Sequence, residues 1–203
     1  MGIAERRYRQ KEEVRSLILD TAWKQIQEEG VQSLSVRKVA DAIEYSVPVI
    51  YSHFESKEAL IGEFVRRGFC LLTRMAIEAR DAYDKPTAQL TAIALAYWEF
   101  ASQNLEYYQL MFGLGIPTCE KAHSVSEILT FGGLVKDVIQ KAVLSGSHPA
   151  VDLELKFQSY WSILHGIVSI RLKHNCNRKE GDPDLGKAIL EDTIKGYIYA
   201  LVG

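Results

Sequence analysis

The chain has 203 residues, a formal net charge of −2, 47% hydrophobic and 25% charged residues, enough to bury one sizeable core with a small appended module. No apolar run approaches the ~20 residues needed to span a bilayer, and the charged start MGIAERRYRQKEE lacks the apolar centre of a signal peptide, so a cytoplasmic protein without membrane attachment is expected. Cys70, Cys119 and Cys176 stand alone without CxxC spacing, which argues against a disulfide framework and fits a reducing compartment. The loose pairs Cys119 with His123 and His174 with Cys176 lack finger or ribbon spacing, so neither a metal nor another cofactor is expected.

Helical spacing recurs along the whole chain and period-two alternation is nearly absent, so the fold class is all-α. Val14, Leu17, Ile18, Thr21, Ala22 and Ile26 form one stripe that predicts a first helix from about Arg9 to Glu29, ended by Gly30 at C′. Ser35 can cap a short second helix with Val36, Val39, Ala40 and Ile43 inward. Ser46 can cap a third, from about Val47 to Phe54, with Pro48 in its first turn, where a missing N–H costs little. Ser56 caps a long fourth helix reaching about Asp81. Further helices follow Pro86, run from about Ser124 to Leu144 and from Asp152 to His174, and extend from Asp182-Pro183 to Leu201. The breaks are Asp84-Lys85-Pro86, Gly113 to Pro117, Ser145 to Pro149 and Asn175 to Asp182.

Two short helices joined by Glu44-Tyr45-Ser46, after a longer supporting helix, have the dimensions of a helix-turn-helix. Ile50 and Phe54 lie one turn apart and anchor the third helix, which leaves small and polar residues outward. A major groove about 12 Å wide admits one such helix. An ordinary short core helix is the plainer alternative, but it leaves those outward residues, and the lysine at the next helix start, without a purpose.

The stretch from Val39 to Leu60, VADAIEYSVPVIYSHFESKEAL, resembles the tetracycline-repressor (TetR) family of transcriptional regulators. It keeps the Ala of the second helix, the Tyr-x-x-Phe that ends the third, and the following Ser-Lys-Glu-x-Leu. The resemblance covers about Arg9 to Leu60. It departs from the family at Glu44-Tyr45, where Gly-Val is common, and at Pro48-Val49, where Gly-Thr is common. A non-glycine residue at the first of these positions would be strained if its φ is positive.

The resemblance implies a DNA-binding domain over residues 1–55 and a ligand-binding and dimerisation domain over 56–203. It places Ser35 and Arg37 toward phosphate, and Ser46, Val47, Pro48, Val49, Ser52 and His53 in or beside the groove. It also brings Tyr51 and Lys57 to the DNA backbone, Lys57 aided by its helix start. Arg6, Arg7, Arg9 and Lys11 form a basic arm that tracks the minor groove or is unstructured. Residues 1–68 hold eleven Lys/Arg and eleven Asp/Glu, so the module is neutral and should depend on a few placed contacts rather than on coating nucleic acid.

Trp161 to Gly166 matches the Trp-x-x-x-His-Gly signature of one C-terminal subclass of that family. The resemblance implies a palindromic double-stranded DNA operator, a homodimer formed through the last two helices, and a small effector among the C-terminal helices. The segment Asp152 to His174 is apolar on more than one face, as a helix serving both a core and a partner must be. Tyr97, Trp98, Tyr108, Met111, Phe131, Trp161 and His165 are either plain core or the lining of a mostly apolar pocket. An enzyme using His165 with Glu99 or Cys119 is the chief rival, but GxSxG, HExxH and a glycine-rich phosphate loop are all missing. A helical adaptor that binds no DNA is the second rival.

Overall fold

A computed structural model describes residues 2–112, 126–146, 151–174 and 185–203. Among these the chain forms α1 (Ile3–Glu29), a 3-10 turn (Val31–Ser33), α2 (Val36–Ala42), α3 (Val47–His53) and α4 (Lys57–Asp81). There follow α5 (Pro86–Gln103), α6 (Leu105–Phe112), α7 (Ser126–Leu144), α8 (Leu153–His174) and α9 (Leu185–Val202), with no strand among the described residues. The all-α expectation therefore holds. The expected loop at 113–117, both Cys/His pairings and the Asp182-Pro183 helix start lie outside what is described.

Two compact units divide these elements: residues up to Arg67 with α6 from Glu106 onward, and Gly68–Leu105 with α7, α8 and α9. Helix α4 belongs to both, since the first unit ends at Arg67 and the second begins at Gly68.

In the first unit Ile18, Leu19, Ala22 and Ile26 of α1 meet Leu34, Val39, Ala40, Ile50, Phe54, Leu60 and Phe64 in a core that water does not reach. Leu17, expected in the inward stripe, is 43% exposed and Leu19 is buried in its place. Helix α1 starts at Ile3 rather than near Arg9, so Arg6, Arg7, Arg9 and Lys11 are exposed on a helix and do not form a separate arm. Gly30, at φ 86°, ends α1 as expected, its N–H bonding the Ile26 carbonyl at 2.9 Å. Trp23 stacks on Tyr107 at 4.0 Å and meets Phe64 at 5.2 Å, which ties α6 into this unit.

The second unit is organised around α5. Its Leu90, Ile93, Ala94, Tyr97, Trp98 and Phe100 are all buried, and it packs on α7, α8 and α9. Two tyrosines pair their hydroxyls at depth: the buried Tyr160 hydroxyl donates to the Leu90 carbonyl at 2.6 Å, and Tyr197 donates to the Lys156 carbonyl at 2.9 Å. Gly146 follows α7 so close to α9 that a Cβ there would lie 2.6 Å from the Val202 carbonyl oxygen.

The turn between α2 and α3 bears out the concern about Glu44. The Tyr45 N–H bonds the Ala40 carbonyl at 3.0 Å and the Glu44 N–H bonds the Asp41 carbonyl at 3.2 Å, the two bonds of a Schellman motif. That motif holds its C′ residue in the left-handed region, and Glu44 sits there at φ 60°. Replacing Glu44 with glycine removes the Cβ penalty and is expected to stabilise the protein by up to ~1 kcal/mol, read as a higher thermal midpoint with an unchanged far-ultraviolet spectrum.

Candidate functional site

The end of α1 sets the position of the helix pair. Gln25 is buried, and its amide donates to the Ser33 carbonyl at 3.0 Å while its oxygen accepts the Ser35 N–H at 3.3 Å. Ser35 then caps α2 by accepting the Lys38 N–H. Arg37 is exposed and forms no ion pair among the described residues, whereas Lys38 is held by Glu29 at 2.7 Å. Of two adjacent cations, Arg37 is the one still available to a phosphate.

Helix α3 is anchored by Ile50 (1% exposed) and by its C-cap, Phe54 (5% exposed). Pro48, Tyr51 and Ser52 are exposed on its other side, with Val47, Val49 and His53 half-buried. Ser46 occupies the N-cap position, but its side chain makes no capping bond. The reason is local: Pro48 has no N–H to donate, and the Val49 N–H bonds the Ser46 main-chain carbonyl at 2.9 Å. The exposed Ser46 hydroxyl therefore has no role in capping. Ser52 turns its hydroxyl back to the Val49 carbonyl at 2.7 Å. Ser56 does cap α4, accepting the Ala59 N–H at 3.1 Å, which puts Lys57 at the positive end of a 25-residue helix.

His53 has a buried Nδ1 without a hydrogen-bond partner. Burial first, and then the charges of Lys11 and Arg15, lower the imidazole below its ordinary value, so it is neutral at pH 7. Arg15 of α1 donates to the His53 carbonyl at 3.2 Å. Sequence reasoning passed over Arg15 because a lone arginine on a supporting helix carries no motif.

The seven residues expected around an effector do not form one cluster within either unit. Tyr108 and Met111 are buried in the first unit. In the second, Tyr97, Phe131 and Trp161 come together with ring centroids 5.6 to 6.5 Å apart. His165 stands beside them, its Nδ1 3.4 Å from the Tyr97 hydroxyl and its Nε2 3.3 Å from the Ser169 hydroxyl. Trp98 meets Arg171, whose guanidinium lies 4.5 Å from its ring centre.

The same unit holds a groove of about 370 Å³ between Cys70, Thr73, Arg74 and Ile77 of α4 and Glu127 and Thr130 of α7. The Thr73 hydroxyl is buried there without a hydrogen-bond partner. The aromatic count drew attention to α5 and α8, so this groove was missed, and no residue pattern on α4 alone would have shown it.

A helix-turn-helix whose second short helix is anchored on one side and open on the other defines the class: a DNA-binding regulator. A model of the bacterial regulatory proteins of the tetR family matches residues 18–64, and one described as the tetracyclin repressor-like C-terminal domain matches residues 90–195. The chain belongs to the TetR family of transcriptional regulators, proteins that bind DNA rather than catalyse a reaction. No curated protein matches the sequence.

Solved structures share the fold. A protein of unknown function from Rhodococcus sp. RHA1 is 22% identical over 93% of this chain and 95% of its own, with a TM-score of 0.76. The TetR-family regulator PfmR from Thermus thermophilus is 20% identical over 91% and 96%, with a TM-score of 0.59. RolR, solved with resorcinol, is 14% identical over 97% and 90%, with a TM-score of 0.68. No helix of the described residues is long and apolar enough to cross a membrane.

Burial lowers the His165 imidazole as well as that of His53, whereas both return to about 6.5 on unfolding. Below pH 6.5 the unfolded chain therefore takes up protons that the folded one refuses, and stability falls as pH drops. The expected result is a melting temperature that declines between about pH 6.5 and 5, before the carboxylates titrate, and a shallower decline in His165→Gln.

Proposed function

We propose that the chain is a ligand-responsive repressor that binds a palindromic operator as a homodimer, with α3 as recognition helix. The observation that carries this reading is the two-sided build of α3: Ile50 and Phe54 anchored, Pro48, Tyr51 and Ser52 open. Val47, Pro48, Val49, Ser52 and His53 meet base edges, while Arg37, Tyr51 and Lys57 take phosphates, with Ser35 and Ser46 at the helix starts beside them.

Dimerisation through α8 and α9 is supported by what these helices leave uncovered. Leu155 and Ile170 of α8 are each 61% exposed, and Leu185, Ile189 and Tyr199 of α9 are exposed too. Gly196 and Ala200, both exposed, let a second backbone approach closely. A symmetric partner copy would cover this face.

The effector is a small, mostly apolar molecule taken by the second unit. RolR, similar in fold, was solved with resorcinol, which supports a ligand of that size. Tyr97 and Phe131 are fully buried, and among the described residues the α4–α7 groove offers room for such a molecule. Helix α4 carries Thr73 and Ile77 in that groove and Lys57 at its start. A ligand that favours one setting of α4 shifts operator affinity, and a coupling of about 1–3 kcal/mol is sufficient for a switch.

Selection from random duplexes should return a two-fold symmetric motif with A·T pairs in each half-site, because Pro48 and Val49 offer only apolar surface to thymine methyls. Lys57→Ala should weaken every duplex alike and lower the salt slope by about 1 per subunit. A monomeric mass, or half-sites bound as tightly as whole ones, would contradict the dimer.

Ile77→Trp, which fills the groove, should leave operator binding by the free protein intact and abolish its release by a small aromatic effector. Retained release in that variant would move the effector away from α4.

A further inference from the structure

The C-terminal turn of α3 leaves carbonyls that have no partner inside the helix. One of them, on His53, accepts Nη1 of Arg15 at 3.2 Å, and a guanidinium at a helix C-terminus also meets the negative end of its dipole. The same guanidinium lies 4.3 Å from the centre of the Phe54 ring, close enough for a cation–π contact with the residue that anchors α3. Its Nη2 stands 3.5 Å from Glu63 of α4.

Glu63 is itself well covered, with its side chain 15% exposed, and it also holds Arg66 at 2.7 Å and Arg67 at 3.5 Å. Burial alone would raise its carboxyl, but the hydrogen bond from Arg66 and the charges of Arg66, Arg15 and Arg67 hold it below its ordinary range. One carboxylate thus balances three guanidinium groups. Without it they would repel one another and Arg15 would lose its seat under α3.

We propose that Arg15 and Glu63 form a clamp that sets the orientation of the recognition helix, and that both are positioning residues for sequence-specific DNA binding. This rests on the reading of α3 as the recognition helix. The clamp joins α1, α3 and the first turns of α4, so the face that α3 presents depends on two charged residues that need not touch a base. It also explains an anion near a surface that must meet phosphates. As a mere surface charge Glu63 would oppose DNA binding, whereas in the clamp it assists.

The opposite signs make Glu63→Gln the decisive variant of the full-length protein. Its affinity is measured for a duplex selected by the wild type and for a scrambled duplex of equal length. The clamp predicts about tenfold weaker binding of the selected duplex, the scale of a lost charge-assisted bond, with the scrambled duplex unchanged or bound more tightly. Glu63→Asp should restore part of the loss, and Arg15→Lys, which keeps the charge but loses the fork, should behave like Glu63→Gln.

Amide hydrogen exchange in the free protein provides a second readout. Tyr51 to Phe54 should exchange about five- to thirtyfold faster in Glu63→Gln, with Ile18 to Ile26 of α1 unchanged as a control for folding. Tighter binding of both duplexes, equal weakening of both, or unaltered exchange in α3 would overturn the clamp. If the wild type selects no duplex at all, the DNA-binding reading fails, and exchange alone still decides whether Arg15 and Glu63 hold the helix.

Discussion

A helix of seven residues cannot hold itself together in water, because the cost of its first turn is never recovered over so short a run. Helices α2 and α3 are both of this length, and most of the first unit serves to support them. Ser35 caps one end of α2 and a Schellman motif closes the other. Ile50 and Phe54 are buried on behalf of α3, and Arg15 covers its final carbonyl. What remains uncovered on α3 is what no support requires, and that remainder is the surface available to a partner.

The same accounting applies to charge. The first 68 residues are neutral in sum, and many of their cations are already engaged: Lys38 with Glu29, and Arg15, Arg66 and Arg67 with Glu63. Arg37 and Lys57 have no carboxylate partner among the described residues, and each sits in the first turn of a helix. Attraction to a polyanion would then be local rather than diffuse, with bases read against a modest background of phosphate contacts.

In the second unit the buried and uncovered faces of α8 are distinct. Tyr160, Leu164 and Val168 face α5 and its neighbours while Leu155 and Ile170 stay in solvent. The aromatic group of Tyr97, Phe131 and Trp161 is packed, with His165 bridging two hydroxyl-bearing residues at its edge. Among the described residues a groove lies between α4 and α7, lined in part by Thr73, whose hydroxyl is buried without a hydrogen-bond partner. A buried hydroxyl without a partner costs about 1–3 kcal/mol.

The sequence by itself determined the helical fold, the spacing of the helix-turn-helix and the strained turn at Glu44, because those depend on neighbours within a few positions along the chain. Periodicity shows which side of a helix is apolar, and capping chemistry shows where a helix starts. It did not show that Ser46 would leave its hydroxyl unused, since that follows from how Pro48 and Val49 share the first turn. Nor did it show which unit would receive Tyr108 and Met111, or that Arg15, 38 residues before His53, would close the end of α3. Those outcomes belong to tertiary structure, for a physical reason: an aromatic or a guanidinium can be satisfied by many partners, and only the packing of distant helices decides which one it meets.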